Sequence, residues 1–186
     1  VLDDGYKDGA VEKLHDHKPA GPYAGGKYKI QEGGTRTPFI TYWPGTIKPG
    51  VSEKIVCTID LGTSLAKHLG VSIPQDALLD SLNVMPALLG KEDAKGRSNL
   101  IQQSNGREGV NSPMGYRSGK WKLQRSVKKS PQKAKANKAG AAFSYTLYDL
   151  ENDVAEKKNL AKQNPEVFTR LKTELQKQID AGRTRH

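Results

Sequence analysis

The chain has 186 residues, a formal net charge of +10, an apolar share of 35% and a mean hydropathy of −0.70. That length suits one domain, or a small domain with an extended arm, and so modest an apolar share supports a core only if several segments lie at the surface. No apolar run approaches the ~18 residues needed to cross a bilayer, and the single cysteine, Cys57, excludes an internal disulfide.

Residues 1–26 are rich in Gly, Asp, His and Lys and read as an arm or long loop. The start, Val1-Leu2-Asp3-Asp4, has neither an initiator Met nor a signal-peptide pattern, so the chain is expected to be cut from something larger. His15 and His17 flank Asp16, a spacing that suits metal or acid–base chemistry and equally a polar loop. Lys27 then follows two glycines, and Glu32-Gly33-Gly34-Thr35-Arg36 forms a turn running into the apolar segment Phe39-Ile40-Thr41-Tyr42-Trp43. Glycine lets a backbone approach a ligand closely or take positive φ, and lysine offers a compact charge for an oxyanion.

Phe39 to Trp43, closed by Pro44-Gly45, reads as a short strand, and Ile55-Val56-Cys57 as another. Cys57 is expected to be a buried strand cysteine. Asp60 is placed to cap a helix in which Leu61, Leu65 and Leu69 recur every four residues, with Gly70 as the stop. Residues 83–89 predict a short second helix ended by Gly90. Residues 100–103, 114–117, 120–125 and 145–150 read as short strands of an antiparallel sheet, with a hairpin turn at Ser118-Gly119. In the third strand, Trp121, Leu123 and Arg125 fall on one face. The last helix, about 165–181, has Asn164 as cap, Pro165 at its first position and Glu166 in its first turn. Its stripe of Val167, Leu171, Leu175 and Ile179 is expected to pack on the sheet.

Charge is concentrated in one place. Between Gly109 and Tyr148 there are nine Lys or Arg and no Asp or Glu, with Lys128, Lys129, Lys133, Lys135 and Lys138 close together. Such a segment could bind a polyanion by counterion release, or be a solvated insertion between two strands. It has no aromatic interleaving and no nucleic-acid motif, so nucleic acid is not an expected partner.

The stretch 25–45 resembles the late motif of type I, formylglycine-dependent sulfatases, G-K-x-x-x-x-E-G-G-x-R-x-P-x-I followed by W-P-G. Further landmarks follow in the family's order. Thr58-Ile59-Asp60-Leu61 resembles D-L-x-P-T-L, without the usual proline. Asp80-Ser81-Leu82 to Gly90 resembles D-G-x-S-x-x-P-L-L-x-G. Trp121-Lys122-Leu123 and then Leu147-Tyr148-Asp149-Leu150 resemble the ending W-K-L … L-Y-D-L-x-x-D-P-x-E-x-x-N-L-A. There Glu156, Asn159, Leu160 and Ala161 match, and Val154 replaces proline.

The resemblance implies an alkaline-phosphatase-like α/β enzyme, with α+β character in this part. Residues 1–95 would complete the main domain, 1–26 being the arm or loop, and 96–186 would form a C-terminal subdomain of antiparallel sheet and helix. It implies that Lys27 contacts the substrate sulfate and that Glu32, Gly33, Gly34 and Arg36 set the surrounding turn by backbone geometry and local charge pairing. His17 would line the substrate cleft; position 24, often Arg in similar sequences, is Ala. The family's calcium and formylglycine are expected in the full-length protein only. No C/S-x-P-x-R occurs, Cys57 is followed by Thr58-Ile59-Asp60, and Asp3-Asp4-Gly5 lacks the asparagine of the metal-binding D-N-G. This stretch alone is therefore expected to be inactive and to hold no metal, while the parent hydrolyses sulfate esters, among them sulfated carbohydrates. The rival reading is a non-catalytic basic module that binds sulfated polysaccharide or another polyanion. Export to the periplasm or beyond is expected from the resemblance. An orphaned main-domain portion would expose apolar surface and could self-associate.

Overall fold

A computed structural model describes residues 13, 18, 20–104, 109–128 and 143–185. The chain divides into two units, Val1–Thr37 with Ile101–Thr173, and Pro38–Leu100 with Glu174–His186.

The first unit is built on a four-stranded sheet, β1 (Asn99–Gln103), β2 (Met114–Ser118), β3 (Trp121–Val127) and β4 (Phe143–Asp149), in sequential order. β2–β3 and β3–β4 pair antiparallel. The pair Ser118↔Trp121 closes the first hairpin, so its loop is Gly119-Lys120, one residue later than the expected Ser118-Gly119. Gly119 takes φ +57°, which a two-residue hairpin demands at its first loop position and glycine tolerates.

Register sorts the side chains onto two faces. Tyr116, Leu123 and Leu147 are paired across three strands and all are fully buried. On that same face, Tyr145 (opposite Arg125) meets Phe168 edge-on at 6.3 Å between ring centroids. Phe168 belongs to the helix Pro165–Ala181, whose Leu171 is wholly buried. The apolar face is therefore the one the helix covers, as the stripe predicts. The opposite face carries Arg117, Lys122 and Gln124. Lys122 and Gln124 are buried as well, so β3 is covered on both sides rather than half solvated. Asn164 stands at the expected cap position, its backbone carbonyl receiving the Phe168 N–H, but its side-chain amide donates back to the Leu160 carbonyl.

In the second unit, α2 (Asp60–His68) follows α1 of the first unit (Glu32–Thr35) and precedes a single turn, α3 (Met85–Leu88). The helix at Asp60 is present, but it faces the other way from its leucine stripe. Leu61, Leu65 and Leu69 are 37%, 49% and 71% exposed, whereas Asp60, Thr63 and Ser64 are buried. Hydrogen bonds explain the orientation. The Thr63 N–H donates to Ser81 Oγ, the Thr63 hydroxyl donates to the Ser81 carbonyl, and Ser64 Oγ receives the Val84 N–H. Asp60 is the first helical residue rather than the cap. Its carboxylate receives Arg97 Nε at 2.9 Å and Nη2 at 3.0 Å, plus the N–H groups of Leu82 and Cys57. Val84, Met85 and Leu88, with Val56, Leu82 and Leu89 against them, form the apolar cluster.

The expected strands at 39–43 and 55–57 are not strands here. A ladder needs a partner, and among the described residues neither run has one beyond the Arg97 N–H donating to the Ile55 carbonyl. Cys57 is accordingly half-buried and outside any strand. Ile40, Tyr42 and Val51 are more than four-fifths exposed.

Two stability outcomes follow from these contacts. Asp60→Ala leaves the buried Arg97 guanidinium unpaired and is expected to cost about 3–5 kcal/mol in denaturant unfolding; a loss under ~1 kcal/mol would contradict the assignment. Burial raises the Asp149 carboxyl's pKa, but hydrogen bonds from Lys120, Asn152 and the Glu151 N–H together bring it below the ordinary carboxylate value. A lowered folded-state pKa contributes stability that is present above the unfolded carboxylate pKa and is lost as pH falls through the folded value. Asp149→Asn should therefore flatten the acid limb of a urea-midpoint-versus-pH curve, and an unchanged limb would refute it.

Candidate functional site

Lys27 sits at an exposed turn. Gly25 precedes it at φ +75° and Tyr28 follows at φ +69°, a left-handed conformation that costs a non-glycine residue about 1–2 kcal/mol. The Lys29 N–H donates to the Gly26 carbonyl and closes the turn. The Lys27 ammonium lies 5.0 Å from the centroid of the half-exposed Tyr28 ring, close enough for a cation–π contact.

Behind this turn lies α1. The Gly33 N–H donates to the Ala24 carbonyl at 2.8 Å. A Cβ on Gly33 would meet the Ala24 carbonyl oxygen at 2.6 Å, and one on Gly34 would run into the carbonyl oxygens of Gly26 and Lys29. The two glycines thus let α1 lie directly on the backbone that carries Lys27. Ile30, between the two turns, is buried.

Glu32 anchors α1 from far outside the turn. Its Oε1 accepts a hydrogen bond from Lys122 Nζ at 2.7 Å, and its Oε2 pairs with Arg117 Nη1 at 3.1 Å. Lys122 Nζ also lies 3.3 Å from Glu156 Oε1, which accepts from Gln124 Nε2 at 2.6 Å. Glu156 Oε2 takes the backbone N–H of Glu32 at 2.9 Å. Lys122, Glu32 and Glu156 are all buried. Gly115, across from Gln124, leaves room for this packing, because a Cβ there would press on Lys122 Cε and the Ile30 carbonyl.

The expected pairing of Glu32 with Arg36 is the weakest of these contacts. Arg36 Nη1 is 4.0 Å away with a 42% exposed side chain, and its guanidinium stacks 4.9 Å from the Tyr23 ring. His15, His17, Asp3 and Asp4 lie outside the described residues, as do the lysines of the basic segment beyond Lys128. Among the described residues no group of three or more His, Cys, Asp or Glu gathers where a metal could sit. Sequence reasoning gave Lys122 and Glu156 no role. The only signal for them was their place in the W-K-L and D-L-x-x-D-P-x-E matches, which says nothing of which residues they meet.

The family model for the C-terminal part of N-sulphoglucosamine sulphohydrolase matches residues 26–184. The chain belongs to the sulfatases, as their C-terminal region. An N-acetylgalactosamine-6-O-sulfatase of Bacteroides thetaiotaomicron is 40% identical over 172 residues, covering 92% of this chain and 32% of that protein. Arylsulfatase A of Homo sapiens is 33% identical over 173 residues, covering 86% of this chain and 34% of that one. A solved structure from work on glycosaminoglycan metabolism by Bacteroides thetaiotaomicron superposes with TM-score 0.78 at 38% identity, over 97% of this chain and 36% of its own. The chain spans about a third of the length of the curated relatives it matches.

In this sulfatase region the buried charges hold α1, and α1 in turn backs the lysine turn. Gly34→Ala is expected to force the two turns apart, costing about 1–3 kcal/mol and shifting the amide resonances of residues 24–29. Gly50→Ala, where an added Cβ meets nothing within 4 Å, is the neutral control. Equal behaviour of the two variants would dismiss the close packing.

Proposed function

We propose that this chain supplies the sulfate-holding lysine of a sulfuric ester hydrolase whose substrate is a sulfated carbohydrate. The observation that carries the reading is the presentation of Lys27, a cation at an exposed turn whose backbone is clamped from behind by α1. An ammonium about 4 Å from a unit negative charge gains roughly 1–4 kcal/mol, depending on screening. Charge grows on the ester oxygen as the S–O bond breaks, so a pre-positioned ammonium favours the transition state over the bound ester. The carbohydrate assignment draws on the 40% identical relative, itself named for N-acetylgalactosamine 6-O-sulfate chemistry.

Among the described residues no acidic cluster offers calcium a site, and the sequence has no C/S-x-P-x-R from which a formylglycine could form. In this proposal both belong to parts of the protein outside this chain, which alone does not turn over sulfate esters. His17 would line the same cleft. Export from the cytoplasm belongs to the same reading and rests on family likeness; no helix among the described residues is long and apolar enough to cross a membrane.

A polyanion-binding module is the less favoured reading. Of its nine cations, Lys122 is buried among carboxylates, Arg117 pairs with Glu32, and Arg125 is buried over the Phe143 ring.

Lys27→Ala in the full-length protein is expected to lower kcat on an aryl sulfate by about 10²–10³-fold, the scale of losing one oxyanion donor. Unchanged turnover would overturn the assignment.

A further inference from the structure

Lys122 needs an explanation that stability does not supply. Replacing a buried ion cluster with well-packed apolar residues is often neutral or stabilising. In some proteins such a cluster serves to fix one arrangement of the chain rather than to add stability. What this one fixes is visible in the contacts. Lys122 is on β3, in the middle of the sheet, and its Nζ bridges Glu32 Oε1 and Glu156 Oε1. Glu156 closes the loop by accepting the Glu32 N–H, and it does so from a strained backbone at φ +51°. A strained residue persists where its surroundings over-determine it, and such residues cluster at functional sites. Tyr28, beside Lys27, is strained in the same way at φ +69°. The relay between the two strained residues has no slack, because α1 touches the lysine turn through glycines with no side chain to deform.

We propose that Glu32, Lys122 and Glu156 are positioning residues for Lys27. The buried ammonium fixes Glu32, Glu32 fixes α1, and α1 fixes the turn that aims Lys27. The inference rests on the reading of Lys27 as the sulfate contact. A misplacement of about 1 Å at a reacting group can cost on the order of 10²-fold in rate, so a substitution on β3 acts on turnover without touching substrate.

The test is a double-mutant cycle in the full-length protein, with an aryl sulfate as probe. Glu32→Gln keeps the size of the side chain, and Lys122→Met removes the charge. Each is expected to lower kcat by roughly 10–100-fold while KM moves by less than about threefold. In a Lys27→Ala background the same substitutions should cost less than about twofold, because the residue they position is already gone. Equal losses in both backgrounds would overturn the positioning role and leave Lys27 as the sulfate contact. A silent Lys27→Ala would overturn both readings. Should Lys122→Met fail to fold, hydrogen exchange on Glu32→Gln decides. Faster exchange at residues 25–29, with Leu123 and Leu147 still protected, supports the relay. A uniform rise would reduce the cluster to ordinary stability and overturn it.

Discussion

A lysine ammonium with no exposed surface must bring its counter-charge with it, because removing such an ion from water costs several kcal/mol even after relaxation. Lys122 is in that position, and it meets the demand with carboxylates from residues 32 and 156. Arg117 adds a second cation and Glu156 a second anion, so the cluster holds two charges of each sign. Three stretches far apart in sequence must therefore meet at one point on β3. Placing an uncharged residue at Gly115 and a hydrogen-bonding amide at Gln124 completes the enclosure. Few other features of the first unit leave so little freedom.

The sheet then works as a partition. One face, through Tyr116, Leu123 and Leu147, takes the apolar side of the last helix, and burial of such side chains contributes about 1.5–3 kcal/mol each. The other face carries the charged cluster and, through α1, the turn that bears Lys27. Adhesion and aim are thereby assigned to opposite sides of the same strand. The second unit uses a related device, with Asp60 and Arg97 buried face to face and the Asp60 carboxylate also taking the Leu82 and Cys57 amides.

Much of this was legible in the sequence, and the failures have physical causes. All four strands and the 165–181 helix could be read because alternation and four-residue recurrence are local signals. The hairpin slipped by one residue, since Ser-Gly and Gly-Lys are both plausible loops and only the register decides. Leu61, Leu65 and Leu69 identified a helix correctly but not its buried side, because Thr63, Ser64 and Asp60 find hydrogen-bond partners at 81–84 and Arg97 that no local pattern announces. Phe39 to Trp43 had the composition of a strand, but composition cannot supply the neighbour that makes one. Lys122 was unreadable for the opposite reason. Alternation puts it on the face opposite Trp121 and Leu123, and its burial depends on carboxylates 90 and 34 residues away along the chain.

The same geometry changes how the letters of the E-G-G-x-R turn are to be understood. A run of polar and glycine residues beside an exposed lysine invites a pocket reading, in which each residue touches one ligand. Here the Glu32 carboxylate is occupied by Lys122 and Arg117, both glycines face the backbone of residues 24–29, and Arg36 stacks on Tyr23. The turn is a plug seated in the sheet, and the lysine is what the plug holds out. The letters of the motif divide accordingly: Glu32 answers to the socket at Lys122 and Glu156, while the two glycines and Arg36 answer to residues 23–29 of the turn itself.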